Sequence, residues 1–187
     1  MLNEIITYLD SKLALISYIP QSKKLVEKYT IDGKEIPSTY CLGEWKALNI
    51  EDSFIYHRLV GTISVEELDE EQQISCEPFS QKDYPMRLVF CKKRTEFDNT
   101  IYDSQSVGED LANAIHTLNN RLLTISLGAD TVQIQPSEIE TNTIAAFNEE
   151  FGIDPIPLDY IFIYVDYTIT ITGANSCFKN LCQQSEQ

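Results

Sequence analysis

The side chains best equipped for chemistry in this chain are two histidines, five cysteines and a few neighbouring acids. His57 lies between Tyr56 and Arg58 in a strand-like run. That position suits a satisfied or surface histidine rather than a general base, which must reach a reacting proton. His116 falls on the polar side of a helical stretch, and Asp110 and Asn113 do not complete a metal set with it. Cys41, Cys76, Cys91, Cys177 and Cys182 form no Cys-x-x-Cys pair, which argues against a disulfide framework or a zinc site. Cys91, between Phe90 and Lys92, reads as a small core residue. Glu149-Glu150, and Asp159 with Asp166, have the residue types of a glycosidase carboxylate pair. Sequence spacing does not place them relative to one another, and solvated charge is the expected reading. The sequence has no Gly-x-Ser-x-Gly elbow, phosphate loop or His-Glu-x-x-His helix. No catalytic residue, cofactor or metal is expected. Trp45, beside Glu44 and Lys46, is either an interface anchor or an ordinary core or hairpin tryptophan.

Charge narrows the partners. The formal net charge is −15 at pH 7. Residues 1–94 hold 12 Lys and Arg against 15 acids, whereas residues 95–187 hold only Arg121 and Lys179 against 14. Gripping phosphates needs clustered cations, so specific binding to DNA or RNA is not expected. The acidic half is either a solvated surface or a face that repels a polyanion or meets a basic partner. No apolar stretch reaches the ~20 residues of a membrane helix, and Met1 leads into an amphipathic helix instead of a signal peptide. Synthesis in a reducing cytoplasm, without membrane association, is the expectation.

The elements that would position these residues fit one α+β domain spanning 1–187, with a mostly antiparallel sheet and two or three helices. Leu2, Ile5, Ile6, Leu9, Leu13 and Ile16 make one apolar stripe on a helix bounded by Pro20. Lys24 to Tyr40 reads as a hairpin turning at Asp32-Gly33, with Pro37 placing its second arm at a sheet edge. Ser53 to Val65 reads as a strand interrupted at Gly61 by a bulge or bend. An acidic tip of Glu66, Glu67, Asp69, Glu70 and Glu71 follows, with returning strands at Ile74-Ser75-Cys76 and Met86 to Cys91. Together these predict an antiparallel meander and an extended, protruding hairpin over about 53–92. A helix over Val107 to Leu123, a short strand through Val132 and Ile134, and a helix capped by Asn142 or Thr143 come next. That last helix carries Ile144, Phe147 and Phe151 and stops at Gly152. Residues from about 174 to 187 read as a flexible polar tail.

Leu158 to Thr172 is the most informative run. Ile161, Ile163, Val165, Tyr167, Ile169 and Ile171 alternate with Phe162, Tyr164, Asp166 and three threonines, the pattern of a strand with one buried face and one wetter face. Fully extended it would span roughly 50 Å, so it either bends or reaches a neighbouring molecule. Tyr160, Phe162 and Tyr164 on its second face are the expected subunit-contact residues. The alternative is that a helix of the same chain lies on them.

This order of elements resembles phage neck and tail-completion proteins of the tail-terminator-like, head–tail connector group. The likeness rests on Leu2-Asn-Glu-Ile-Ile-Thr-Tyr-Leu, on His57-Arg-Leu-Val-Gly-Thr-Ile-Ser-Val with its acidic tip, and on Tyr84-Pro-Met-Arg-Leu-Val-Phe-Cys-Lys. The ending Tyr164-Val-Asp-Tyr-Thr-Ile-Thr-Ile-Thr adds to it. The resemblance covers most of the chain in layout, without a diagnostic signature or a catalytic motif to carry over. It implies a virion structural protein: a homo-oligomeric ring, of six or twelve subunits, between portal and tail. DNA would pass through the lumen during genome ejection, and acids of the tip or of the C-terminal half would line it. Against this stand two other readings, an acidic intracellular adaptor or inhibitor of a basic protein and a hydrolase built from dispersed carboxylates.

Overall fold

The structure is a computed structural model of the chain. It describes residues 2–31, 33–41, 44–49, 52–67, 79–97, 103–119, 131–152 and 159–174. The stripe at the start forms α1 (Leu2–Leu13), and Ile5, Ile6, Leu9 and Leu13 are fully buried. Strands β1 (Ser22–Leu25), β2 (Glu27–Ile31), β3 (Lys34–Cys41) and β4 (Glu44–Ala47) follow. Next come β5 (Phe54–Leu59), β6 (Ser64–Glu67) and β7 (Phe79–Lys93), with Gly61 at a bend between β5 and β6. The chain then builds α2 (Ser104–Asn119), β8 (Thr131–Glu140), α3 (Thr143–Phe151) and β9 (Tyr160–Ala174).

The α+β class holds, but the meander does not. The main sheet runs β1-β5-β7-β9-β8, with β6 also on β7, and β1 lies parallel to β5. β7 and β9 pair antiparallel over their whole lengths, from Phe79↔Ala174 to Lys93↔Tyr160. The length of β9 is therefore met by an equally long strand of the same chain. Pro37 also departs from expectation, because β3 is the central strand of a second sheet, β2-β3-β4. The β4 ladder stops at Ser38↔Ala47, one residue short of the proline. Pro37 contributes only its carbonyl, which accepts Leu48 N–H at 2.9 Å.

Both faces of the main sheet are buried. One packs against α1 and α2 through Ile55, Leu88, Phe90, Ile163, Val165 and Ile169, among others. The other packs Phe54, Tyr56, Val89, Phe162 and Tyr164 against Ala146, Phe147 and Phe151 of α3, with Ile36 of the small sheet at its margin. Asn142 caps α3 by accepting Ile144 N–H and Ala145 N–H, and Gly152 ends it in the left-handed conformation, φ 59°. Ile144, expected to pack, is 52% exposed. The helix turns Ala146, Phe147, Glu150 and Phe151 inward, one position out of phase with Ile144. The predicted strand at Ile74-Ser75-Cys76, the turn residue Asp32, the end of the second helix beyond Asn119 and the tail from 175 lie outside the described residues.

Candidate functional site

The even-numbered face of β9 is part of the chain's own core, which corrects the expected subunit contact. Phe162 is fully buried, Tyr164 is 4% exposed and Tyr160 7%. Phe147 and Phe151 of α3 meet the Phe162 ring edge-on at centroid distances of 5.3 and 5.7 Å. α3 takes this face because three aromatic side chains in register offer more apolar area than threonines.

Beyond Tyr164 the same face turns ionic. Arg58 of β5 and Arg87 of β7 are direct cross-strand partners, and like charges in that position repel. The arrangement survives because acids converge on it from both sides. Asp166, the cross-strand partner of Arg87 on β9, accepts two parallel bonds from Arg87, from Nε at 2.7 Å and Nη2 at 2.8 Å. From above, α3 inserts Glu150, fully buried, between the two guanidinium groups. It accepts Arg58 Nε at 3.2 Å, Arg58 Nη2, Arg87 Nη1 at 3.2 Å and the Tyr56 hydroxyl at 3.2 Å. Glu149, half-exposed, accepts Arg87 Nη1 at 2.6 Å and the Tyr164 hydroxyl at 2.7 Å. Arg87 also lies over the Tyr164 ring, 3.5 Å from its centroid. Lys28 of β2 donates to the Glu149 carbonyl at 3.0 Å, tying the small sheet to the end of α3.

These contacts set the protonation states. Burial raises the Glu149 carboxyl, but the Tyr164 hydroxyl and Arg87 outweigh it and leave the group below its ordinary value. Burial, then the bond to Glu149, pushes Tyr164 up. Tyr56 is raised in the same way by burial and the charge of Glu150. Burial lowers Lys28, offset in part by Glu150. Burial disfavours the Arg87 charge, yet its bonds to Asp166 and Glu149 raise it overall. Three cations and three carboxylates thus cancel, and each of the three carboxylates accepts from at least one cation. Such a network holds a helix on a sheet; it offers no free base for proton transfer.

A second polar chain crosses the opposite face. His57 is fully buried, its Nε2 3.0 Å from Asp10 Oδ1 on α1 and its Nδ1 2.6 Å from the Tyr167 hydroxyl on β9. A carboxylate only accepts, so Nε2 carries a proton, and in the neutral ring Nδ1 then accepts from the Tyr167 hydroxyl. Burial and the Asp10 charge raise Tyr167, which keeps the hydroxyl protonated for that role. His57 is a satisfied core histidine, as expected.

Of the other sequence candidates, Glu149, Glu150 and Asp166 come together, and Asp159 does not: it sits in an exposed turn where its carbonyl accepts Arg94 N–H. His116 is exposed on α2. Cys91 is buried, which raises its thiol. Trp45 on β4 is half-buried and stacks on Tyr29 of β2, centroids 5.3 Å apart and planes 11° from parallel. Glu66 is exposed on β6 and Glu67 ends that strand; Asp69, Glu70 and Glu71 lie outside the described residues. Sequence reasoning missed Arg58, Arg87, Tyr56, Asp10 and Tyr167. The available signal was Arg87 inside the apolar run Met86 to Cys91, since a charge in a buried strand requires partners. Among the described residues, no group of three or more His, Cys, Asp or Glu side chains is placed to hold a metal. Compared with known proteins, the chain matches no family model and no curated sequence.

Proposed function

We propose that this chain is a structural subunit that assembles with copies of itself into a ring, in the neck or tail of a bacteriophage, with DNA passing through the lumen. The observation that carries the reading is an apolar lip left uncovered at one end of the main sheet. Pairing register puts Val65 in a row with Lys82, Ile171 and Val132, and Leu59 in a row with Met86 and Tyr167. Paired residues share a face, so Leu59 and Val65 extend the face that α1 and α2 bury. Yet Leu59 is 36%, Ile63 40% and Val65 58% exposed. Apolar side chains left in water along one end of a sheet suit contact with another copy. The Tyr29–Trp45 stack, with Tyr29 46% exposed, offers a second aromatic anchor. Two further supports come from the sequence: the layout likeness to connector proteins, and an acidic half that suits a channel through which DNA slides.

Sedimentation velocity on the purified chain tests this. A ring-sized species is expected, and Leu59→Asp with Val65→Asp should return it to a folded monomer with unchanged circular dichroism. A wild-type chain that stays monomeric at ~100 μM, in the range where weak specific contacts already associate, overturns the ring and favours an acidic adaptor instead.

A further inference from the structure

Charge of opposite sign sits on the two outer strands of the main sheet. β1 and β8 close the β1-β5-β7-β9-β8 path on opposite sides, about 19 Å apart at ~4.8 Å per strand. On the first flank β1 brings Lys23 and Lys24. Lys24 is exposed, with φ 60°, at the irregularity between Ser22 and Leu25. Asp10, beside it on α1, is turned inward to His57, and Glu27 belongs to the small sheet. Leu15, in the turn that leads from α1 toward β1, is 79% exposed. The other flank is acidic. β8 brings Glu138, exposed, and Glu140. The Thr141 hydroxyl donates to Gln105 Oε1 at 3.3 Å, and Gln105 Nε2 donates to Glu109 at 2.7 Å, which sets the exposed Glu109 of α2 beside the end of β8. β8, α2 and α3 contain no Lys or Arg. Ile139, between the two glutamates of β8, is 39% exposed.

The two flanks also stand at one level of the sheet. Leu25 pairs with His57, His57 with Leu88, Leu88 with Val165 and Val165 with Ile139, so a single row runs from β1 to β8. A copy displaced along that row brings its Lys23 and Lys24 to Glu138 and Glu140 of the copy beside it. We propose that copies of this chain join head to tail, the β1 flank of one against the β8–α2 flank of the next, a contact that rests on the ring reading above. Two different patches on opposite sides of a molecule make a heterologous contact, which repeats and closes into a ring, whereas a self-complementary patch stops at a dimer. Opposite charges select this order of flanks, because flanks of one kind facing each other would set Lys against Lys or Glu against Glu. Leu15 and Ile139 give each flank an apolar side chain to bury.

The test is sedimentation velocity of the full chain with the charges of one flank reversed at a time, by Lys23→Glu with Lys24→Glu or by Glu109→Lys with Glu138→Lys. Glu140 is kept because it accepts Asn142 N–H at 2.7 Å. Each variant alone should need at least about tenfold more protein than wild type to assemble, since every contact then sets like charges together. Mixed in equal amounts, the two should assemble as wild type does, because each contact is again a cation against an acid and an even-numbered ring can alternate them. Misfolded chains would not be rescued by mixing. A carbodiimide, which joins a lysine to a carboxylate in direct contact, serves on the wild-type chain even if a variant fails to fold. It should link Lys23 or Lys24 of one copy to Glu109, Glu138 or Glu140 of another. A wild-type chain that stays monomeric refutes the ring, and this contact with it. Wild-type rings with unaffected variants, folded variants that mixing does not rescue, or no such cross-link in the assembled wild type refute the contact and leave the ring standing.

Discussion

Glu150→Ala should be among the most damaging substitutions in this protein, and the structure says where the loss arises. The carboxylate is fully buried and accepts from Tyr56, Arg58 and Arg87. Arg87 tolerates the change, because its bonds to Asp166 and Glu149 remain. Arg58 does not. Its side chain is 13% exposed and, among the described residues, would keep only the Leu59 carbonyl, at 3.3 Å, while still facing Arg87 across the strand. Breaking a buried pair on one side costs about 3–5 kcal/mol. The Tyr56 hydroxyl, orphaned in the core, adds about 1–3 kcal/mol. A total of about 4–8 kcal/mol is a large share of the ~5–15 kcal/mol that holds a typical domain together. Urea unfolding at pH 7 measures it. The parallel variant Tyr56→Phe should cost only about 1 kcal/mol. In the double variant the two losses should be less than additive, because the hydroxyl is no longer there to be orphaned. A Glu150→Ala loss under about 1 kcal/mol, within the range of solvated surface pairs, would show that α3 is not locked as described.

Tyr167→Phe removes the donor to the buried His57 Nδ1 and should cost about 1–3 kcal/mol in the same assay; a loss under ~0.5 kcal/mol, the level of an ordinary surface change, would mean that His57 does not depend on it. Glu149 titrates below its ordinary value, so its contribution is present above the unfolded-state pKa of about 4.3 and disappears as pH falls through the lower folded value. Melting temperatures of wild type and Glu149→Gln should therefore differ most at neutral pH and converge in acid. Parallel curves down to about pH 2, below the ordinary carboxylate range, would contradict that coupling.

How far the sequence foretold this fold depends on how local each signal was. The α1 stripe, the β2–β3 hairpin, the Asn142 and Gly152 caps and the alternation of β9 are set within a few residues, and all led to elements in the expected places. Pairing was less legible. Nothing near Ser22–Leu25 announces a strand parallel to β5, and Pro37 looked like an edge residue because the length of β4 could not be foreseen. The ionic cluster was least visible: Arg58, Arg87, Glu149, Glu150 and Asp166 come from four separate elements, and only the β5-β7-β9 register unites them. Glu149-Glu150 looks like solvated charge in sequence because helix rotation, which buries one and leaves its neighbour half-exposed, depends on where Phe147 and Phe151 find aromatic partners.

The full-length pairing of β7 with β9 also bears on how the protein is made. Between Lys93 and Tyr160 the chain must first produce α2, β8 and α3. At about 5–20 residues per second, β7 waits on the order of ten seconds after leaving the ribosome before its partner exists. During that interval Leu88, Val89 and Phe90 have no β9 to cover them, and strands in that state invite pairing with other chains. Lys82, Asp83, Arg87, Lys92 and Lys93, interspersed along β7, are charges of the kind that keep a waiting strand in solution. Arg87 would then serve twice in the life of the molecule, first as a guard on a nascent strand and afterwards as the centre of the buried network.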